Sequence, residues 1–376
     1  MMLRASSVLL SLLLCACAQE IVVSNDGGTS DRDAGEGARD GGHADAGTID
    51  GGARDGGTRD GGGAPRDGGS VRDAGTPTGP LTWGQAILPT NSRGVNVIWG
   101  RSAAEVYAGA GLYLLRFTPD DGWTRVWNSP SNFDIVGIGG TTSRLFVADR
   151  GGLHVFDGDP ETTTPDYYSF PQTQQVEALL VRNANEAYLT ITQFNGRALL
   201  RFDGTELRPL FQPNDVSTLT SLDEVDGTIY MGANGHLYRV ATGVVSEETV
   251  AWPAHWQEID QLMFEFHGVA KIGARVFAVG DDDMIFERGQ DDTWRLVRGN
   301  GAPSMALEDV ASFGNYGVAV GQPGPDNRPF RVFDGTGWTN QAGPDAVLYT
   351  VWAAGPNTWF AGGYVSIDGI ILHGTR

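Results

Sequence analysis

From residue 97 to the C-terminus, apolar residues come in short runs separated by glycine and Asp-Gly turns. Between Val97 and Trp127 the order is Val97-Ile98-Trp99-Gly100, then Glu105-Val106-Tyr107-Ala108-Gly109, then Tyr113-Leu114-Leu115-Arg116-Phe117, then Asp121-Gly122-Trp123. Runs this short, bounded by turn residues and rich in aromatic and β-branched side chains, predict four strands joined by tight connections. The pattern returns about every 40 residues, a spacing that marks a stacked supersecondary unit.

The second run of each unit repeats most regularly. It reads Val106-Tyr107-Ala108-Gly109, Leu145-Phe146-Val147-Ala148, Ala187-Tyr188-Leu189-Thr190, Ile229-Tyr230-Met231-Gly232, Val276-Phe277-Ala278-Val279-Gly280, Gly317-Val318-Ala319-Val320-Gly321 and Trp359-Phe360-Ala361-Gly362. The third run ends in Phe-Asp-Gly at Phe156, Phe202 and Phe333, and a tryptophan opens the fourth at Trp123, Trp294 and Trp338. Asp-Gly between apolar runs is a hairpin signal. The prediction is an all-β, seven-bladed β-propeller of four-stranded blades. Its ends carry a further expectation. The last unit stops at His373-Gly374-Thr375-Arg376 after three runs, while Leu81-Thr82-Trp83-Gly84-Gln85 reads as a fourth strand without a unit. Residues Leu81 to Ile87 should therefore complete the last blade and close the ring, which leaves few exposed edges.

On these residues the region from Pro80 to Arg376 resembles bacterial lipoprotein β-propellers with degenerate WD40-like, Asp-box-like repeats. A true Asp-box, Ser/Thr-x-Asp-x-Gly-x-x-Trp, is only approached: Thr118, Asp120 and Gly122 fit, but Trp123 comes too early. The resemblance implies a fold and leaves the ligand open.

Upstream, the pattern changes. Arg4 followed by the apolar stretch Val8–Leu14 suits a secretory leader and is too short for a transmembrane helix. Leu14-Cys15-Ala16-Cys17 resembles a bacterial lipobox, which implies residues 1–16 as leader and Cys17 as the acylated new N-terminus. Residues 17–80 then form a linker in which Arg-Asp-Gly-Gly recurs at Arg39, Arg54, Arg59 and Arg66. With nothing apolar to bury, it is expected to stay disordered and to span about 40 Å as a glycine-rich coil. Calcium-binding nonapeptides would need a regular apolar position, which it lacks. The expected domains are 1–16, 17–80 and a propeller over 81–376. The expected address is the cell envelope, lipid-anchored at the outer membrane, as a monomer. Cys17→Ser should move the protein from the membrane to the soluble fraction of a fractionated cell; unchanged membrane association would refute the anchor.

Charge and chemistry narrow the function. Cys15 and Cys17 are the only cysteines, so the propeller has no disulfide and no thiolate metal site. The net charge is −20. Residues 26–80 hold eleven acids against six arginines, leaving about −15 on the propeller, which argues against nucleic acid and anionic lipid as partners. No Gly-x-Ser-x-Gly, His-Glu-x-x-His, P-loop or Ser-x-x-Lys is present. His43, His154, His236, His255, His267 and His373 are scattered, and those in third strands read as interior or edge residues.

Two surface features are candidate binding elements. The first residues of the channel-lining strands are aligned as Asn96, Asp134, Glu177, Asp309 and Thr350, with Thr218 and His267 as the remaining two. A solvated rim explains them with fewer assumptions; gathered at one mouth, they would suit a cationic or polyhydroxylated ligand, including calcium. The second is the long connection Trp252-Pro253-Ala254-His255-Trp256, where Trp256 could stack on a sugar or a cation, or simply pack over blade 4. The leading expectation is a non-catalytic binding or scaffold lipoprotein with no cofactor and a protein or glycan partner. The alternatives are a secreted hydrolase or lyase acting on glycans or lactones, and an accessory subunit of an outer-membrane assembly complex. An enzyme should gather a histidine or carboxylate cluster with shifted pKa values at one channel mouth, and a scaffold should not.

Overall fold

The computed structural model describes residues 80–376 except 172–173, 194–195, 214–217, 255, 257–260, 262, 300–304 and 325–327. The expected leader, Cys17, all of the linker but Pro80, and His43 and His255 lie outside the described residues.

The described strands form seven sheets, six of them four-stranded and antiparallel throughout. All seven second-strand runs predicted from the sequence are second strands. The inner strands are Val95–Ser102, Ile135–Gly140, Gln174–Asn183, Leu219–Val225, Phe266–Ile272, Leu307–Phe313 and Val347–Gly355, for blades 1 to 7. Each touches the inner strand of the next blade, and that of blade 7 touches that of blade 1, so the ring is closed. Seven buried apolar clusters lie between adjacent blades; the one joining blades 7 and 1 contains Val95, Ile98, Phe360 and Ile371. The core is thus distributed between sheets, and no blade can bury its faces alone.

The closure occurs as the sequence predicts. Thr82–Gln85 pairs antiparallel with the third strand of blade 7, Asp368–Thr375, with Trp83 opposite Gly374. Leu81 is buried, and Trp83 stacks flat on Phe330 of blade 6 at 4.5 Å.

The inner edge of a blade has backbone groups with no strand beyond them, and these need other partners. Side chains of the preceding blade supply them. The Ile98 amide donates to Thr350 Oγ1 (3.2 Å), the Val269 amide to Asp223 (2.8 Å) and the Val351 amide to Asp309 (2.8 Å). Asn96 donates to the Ile135 carbonyl of blade 2 at 3.2 Å. The closely packed inner strands also require small residues. A Cβ on Gly100 would lie 2.6 Å from the Trp352 ring of blade 7.

Blade 5 differs from expectation, with five strands. After the outer strand of blade 4, Val244–Glu247, the chain crosses over, and Thr249–Ala251 pairs parallel with the outer strand of blade 5, Thr293–Arg298. Glu248, nearly buried at the crossing, accepts from Arg288 Nε (2.9 Å) and Trp294 Nε1 (3.1 Å) and pairs with Arg239 (3.3 Å). Two hydrogen bonds and an ion pair offset the cost of burying this carboxylate and fix where the chain crosses. The tryptophans that follow pack against the cluster between blades 4 and 5, with their ring contacts to blade 5. Trp252 stacks on Trp256 at 5.4 Å and meets Phe264, Phe266 and Phe286.

Candidate active site at the channel mouth

Each inner strand enters the sheet at the same face. Strand alternation puts the turns between second and third strands, and the connections between blades, on that face too. Near this entry all seven inner strands carry a β-bulge at the same place. Pairing skips Asn96, Val136, Glu177, Thr220, His267, Glu308 and Tyr349 in blades 1 to 7. An extra residue re-aims the side chains around it, so the bulge decides which residues line the mouth.

The candidates aligned from the sequence therefore fall in three registers. Asn96, Glu177 and His267 are bulge residues. Asp309 and Thr350 come one residue later and are engaged between blades. Asp134 and Thr218 come two residues earlier. Asp309 accepts from the Val310 and Val351 amides, so its carboxylate caps inner-edge backbone. Glu177 accepts from Thr192 Oγ1 at 2.8 Å and lies 4.0 Å from Arg150. Asp134 stands one residue ahead of its strand, and its backbone carbonyl accepts the Arg150 amide. Trp256 is half-buried in the blade 5 aromatic cluster. Among the described residues no three His, Cys, Asp or Glu side chains are grouped so as to hold a metal ion.

What converges lies on the arc of blades 4 to 7. His267 Nε2 meets Asp281 Oδ1 at 3.2 Å, with the imidazole 15% exposed. Asp281 follows the second strand of blade 5 and is itself held, its other oxygen accepting the Glu265 amide at 2.8 Å. Glu265 Oε1 accepts from Asn234 Nδ2 (3.0 Å) and Thr218 Oγ1 (3.2 Å) of the blade 4 rim. Glu308, the bulge residue of blade 6, is half-buried beside this group. Tyr349 of blade 7 stacks on Tyr364 at 5.4 Å.

The charges shift one another. Burial works against the imidazolium of His267, but the Asp281 hydrogen bond and the charges of Glu308, Asp281 and Glu265 outweigh it and raise its pKa. Burial raises Glu308 above the usual carboxylate range; His267 and a hydrogen bond from Gln322 pull it back only in part, while Asp281 and Glu265 push it further up. Asp282 is raised by burial and by Asp281. A proton-bearing imidazole oriented by a carboxylate, beside a second carboxylate made more basic, is an acid–base arrangement. Of its members the sequence singled out only His267 and Thr218. Glu308 went unnoticed because a bulge leaves no mark in residue order, and Glu265 and Asp281 because they stand just outside the strands.

No protein-family model matches the chain, and no curated protein matches it. Solved structures do match over most of its length. A catalytically inactive virginiamycin B lyase from Staphylococcus aureus, crystallised with quinupristin, has a TM-score of 0.62 at 12% identity, covering 79% of this chain and 100% of that one. A streptogramin B lyase gives 0.63 at 9% identity, covering 78% and 97%. YCF48 bound to D1 peptide gives 0.60 at 13%, covering 78% and 97%. At these identities the likeness is one of fold: a seven-bladed propeller shared by lyases and by non-catalytic propellers.

Proposed function

We propose that the protein is a lyase-type acid–base enzyme working at the channel mouth of blades 4 to 7. The observation that carries this is the His267–Asp281 pair set beside Glu308. This is the kind of cluster that separates an enzyme from a scaffold, and lyases among the structural neighbours favour the same reading.

The substrate class is a neutral or cationic ester or lactone, since the mouth holds Glu265, Asp281, Asp282 and Glu308 and would repel anions. Glu308 removes a proton from the carbon beside a carbonyl. His267, as imidazolium, donates a proton to the ester oxygen that leaves the next carbon. A carbon–carbon double bond forms as the carbon–oxygen bond breaks, and no water is consumed. Asp281 touches no substrate atom; it orients the ring and supports its charge. With Cys17 lipidated, this chemistry would take place at the cell envelope.

Incubation with quinupristin and a panel of lactones, followed by mass spectrometry, tests the proposal. Elimination opens a ring without changing its mass, whereas hydrolysis adds a water. Turnover of at least one panel member should fall by about 10²–10⁴-fold in His267→Ala. Asp281→Asn should lower kcat and move the alkaline limb of the pH profile downward, because the imidazolium loses its partner and gives up its proton at lower pH. Turnover by His267→Ala at the wild-type rate, or none by the wild type, would return the mouth to a binding role.

A further inference from the structure

Outside the cluster of blades 4 to 7, a fully buried carboxylate on blade 2 organises the mounting of two exposed aromatic rings. Asp149 accepts from four groups, and these hold the segments on which the rings rest. Ser129 and Ser131 fix the connection that enters the blade. The Ser131 hydroxyl donates to Asp149 at 2.7 Å and accepts the Phe133 amide at 3.3 Å. Asn132 between them has a left-handed φ of 58°, which asparagine tolerates, at the turn that presents Phe133. The Gly151 amide, 2.8 Å from Asp149, fixes the turn into the third strand, Gly152–Asp157. His154 Nε2 meets Asp149 at 2.8 Å, and the imidazole lies nearly parallel to Tyr167 at 4.3 Å. The Tyr167 hydroxyl donates to the Gly151 carbonyl at 3.2 Å.

The rings rest on consecutive glycines. A Cβ on Gly151 would stand 2.9 Å from Phe133 Cδ2, and one on Gly152 2.7 Å from Tyr167 Cε2. A larger residue at either place would lift a ring off the backbone. Phe133 is nevertheless 37% exposed and Tyr167 44%. His154 covers one face of Tyr167, so its exposure lies on the other face and the edge. Rings that stay wet add little to the core. A rigid mounting for them has the character of a preorganised binding surface.

We propose that Phe133 and Tyr167 form a stacking platform for a neutral sugar ring, a glycan-binding subsite distinct from the acid–base cluster of blades 4 to 7. The size of the patch selects this occupant. Aromatic side chains of about 150–250 Å² each, exposed to this extent, offer at most about 200 Å² together. A stable protein interface covers about 800 Å² on each partner. A sugar ring fits the smaller area, with C–H groups on its face and hydroxyls around its edge. The border suits those hydroxyls. Next to the rings in the chain stand Asn132, Asp134, Arg150 and Asp166, and Arg150 is shared with Gln175 (3.3 Å) and Glu177 (4.0 Å). These side chains supply donors and acceptors of both signs, so the border selects no net charge. Asp149 itself is enclosed by its four donors and offers a cation nothing.

A glycan array of neutral, amino-sugar and uronate oligosaccharides, with calorimetry on the hits, tests this on the full chain. Binding is read without turnover, so the result is independent of the lyase reading. At least one neutral oligosaccharide should bind. Phe133→Ala and Tyr167→Ala should each weaken it about tenfold or more, whereas Tyr167→Phe, which keeps the ring, and Trp256→Ala, in the blade 5 cluster, should stay within about threefold of the wild type. Phe133→Ala carries the test if Tyr167→Ala does not fold, since Phe133 stands on a connection outside the strands. No neutral saccharide bound, which would leave the rings to a peptide or to solvent, would overturn the proposal. So would equal affinity in the wild type and Phe133→Ala, or binding lost in Trp256→Ala and kept in both ring variants.

Discussion

Deleting residues 1–87 should drive the propeller to aggregate or melt more than about 10 °C lower, whereas deleting residues 1–78 should leave melting nearly unchanged. The difference is the strand Thr82–Gln85, which covers the third strand of blade 7. Without it, backbone donors and acceptors along Asp368–Thr375 face solvent as an open edge, the condition for edge-to-edge pairing. Burial of Leu81 and the stacking of Trp83 on Phe330 go as well. Burying Leu81 fully and Trp83 in part is worth about 2–4 kcal/mol together, a large part of the 5–15 kcal/mol that holds a typical domain. The Gln341 side chain also loses its acceptor, the Leu81 carbonyl, at 2.7 Å. Thermal melting and light scattering of the two truncations decide the matter. Equal melting would mean that the ring holds without its N-terminal strand.

The second large effect is expected at Asp149, in blade 2. Its carboxylate is fully buried and accepts from Ser129 Oγ (2.5 Å), Ser131 Oγ (2.7 Å), the Gly151 amide (2.8 Å) and His154 Nε2 (2.8 Å). His154 is buried too, stacked on Tyr167 at 4.3 Å and edge-on to Trp127 at 4.8 Å. Asp149→Ala strands these donors in the interior and should cost about 3–5 kcal/mol, or roughly 10 °C in Tm. Burial opposes ionisation of Asp149, but hydrogen bonds from His154, Ser129 and Ser131 prevail and hold its pKa below the usual carboxylate range. Its contribution is therefore complete above the unfolded value of about 4 and is lost as pH falls through the lower native value. The penalty of Asp149→Ala, measured by denaturant titration, should shrink in acid. A penalty under about 1 kcal/mol at pH 7 would show that the serines and His154 find other partners. Neither serine donates to the imidazole, so the group ties a turn to a third strand and is not a nucleophilic triad.

Asp149 and Asp309 differ for a reason that residue type does not carry. Asp149 meets four donors, three of them side chains. Asp309 takes two backbone amides and one hydroxyl with the charge of Glu308 adjacent, and burial prevails.

The sequence by itself determined the class of fold, the number of blades and the way the ring closes. Those features rest on local signals: alternation along each strand, Asp-Gly and glycine turns, and an unmatched strand at each end. Each is written within a few residues of where it acts. The inward register was not local. One extra residue in every inner strand moves the face that meets the channel, so Asn96, Asp134, Glu177, Asp309 and Thr350, which the sequence pattern assigns to one position, occupy three. Tertiary structure alone placed Glu308 beside His267, brought Asp281 from a turn to orient that ring, and set Asp223 and Asp309 each against the inner edge of the next blade. The fifth strand of blade 5 was hidden for the same reason, since Thr249–Ala251 finds its partner 44 residues away at Thr293–Arg298. Packing of each blade against the next sets how deeply a carboxylate is buried and which donors reach it, and the direction of its pKa shift follows.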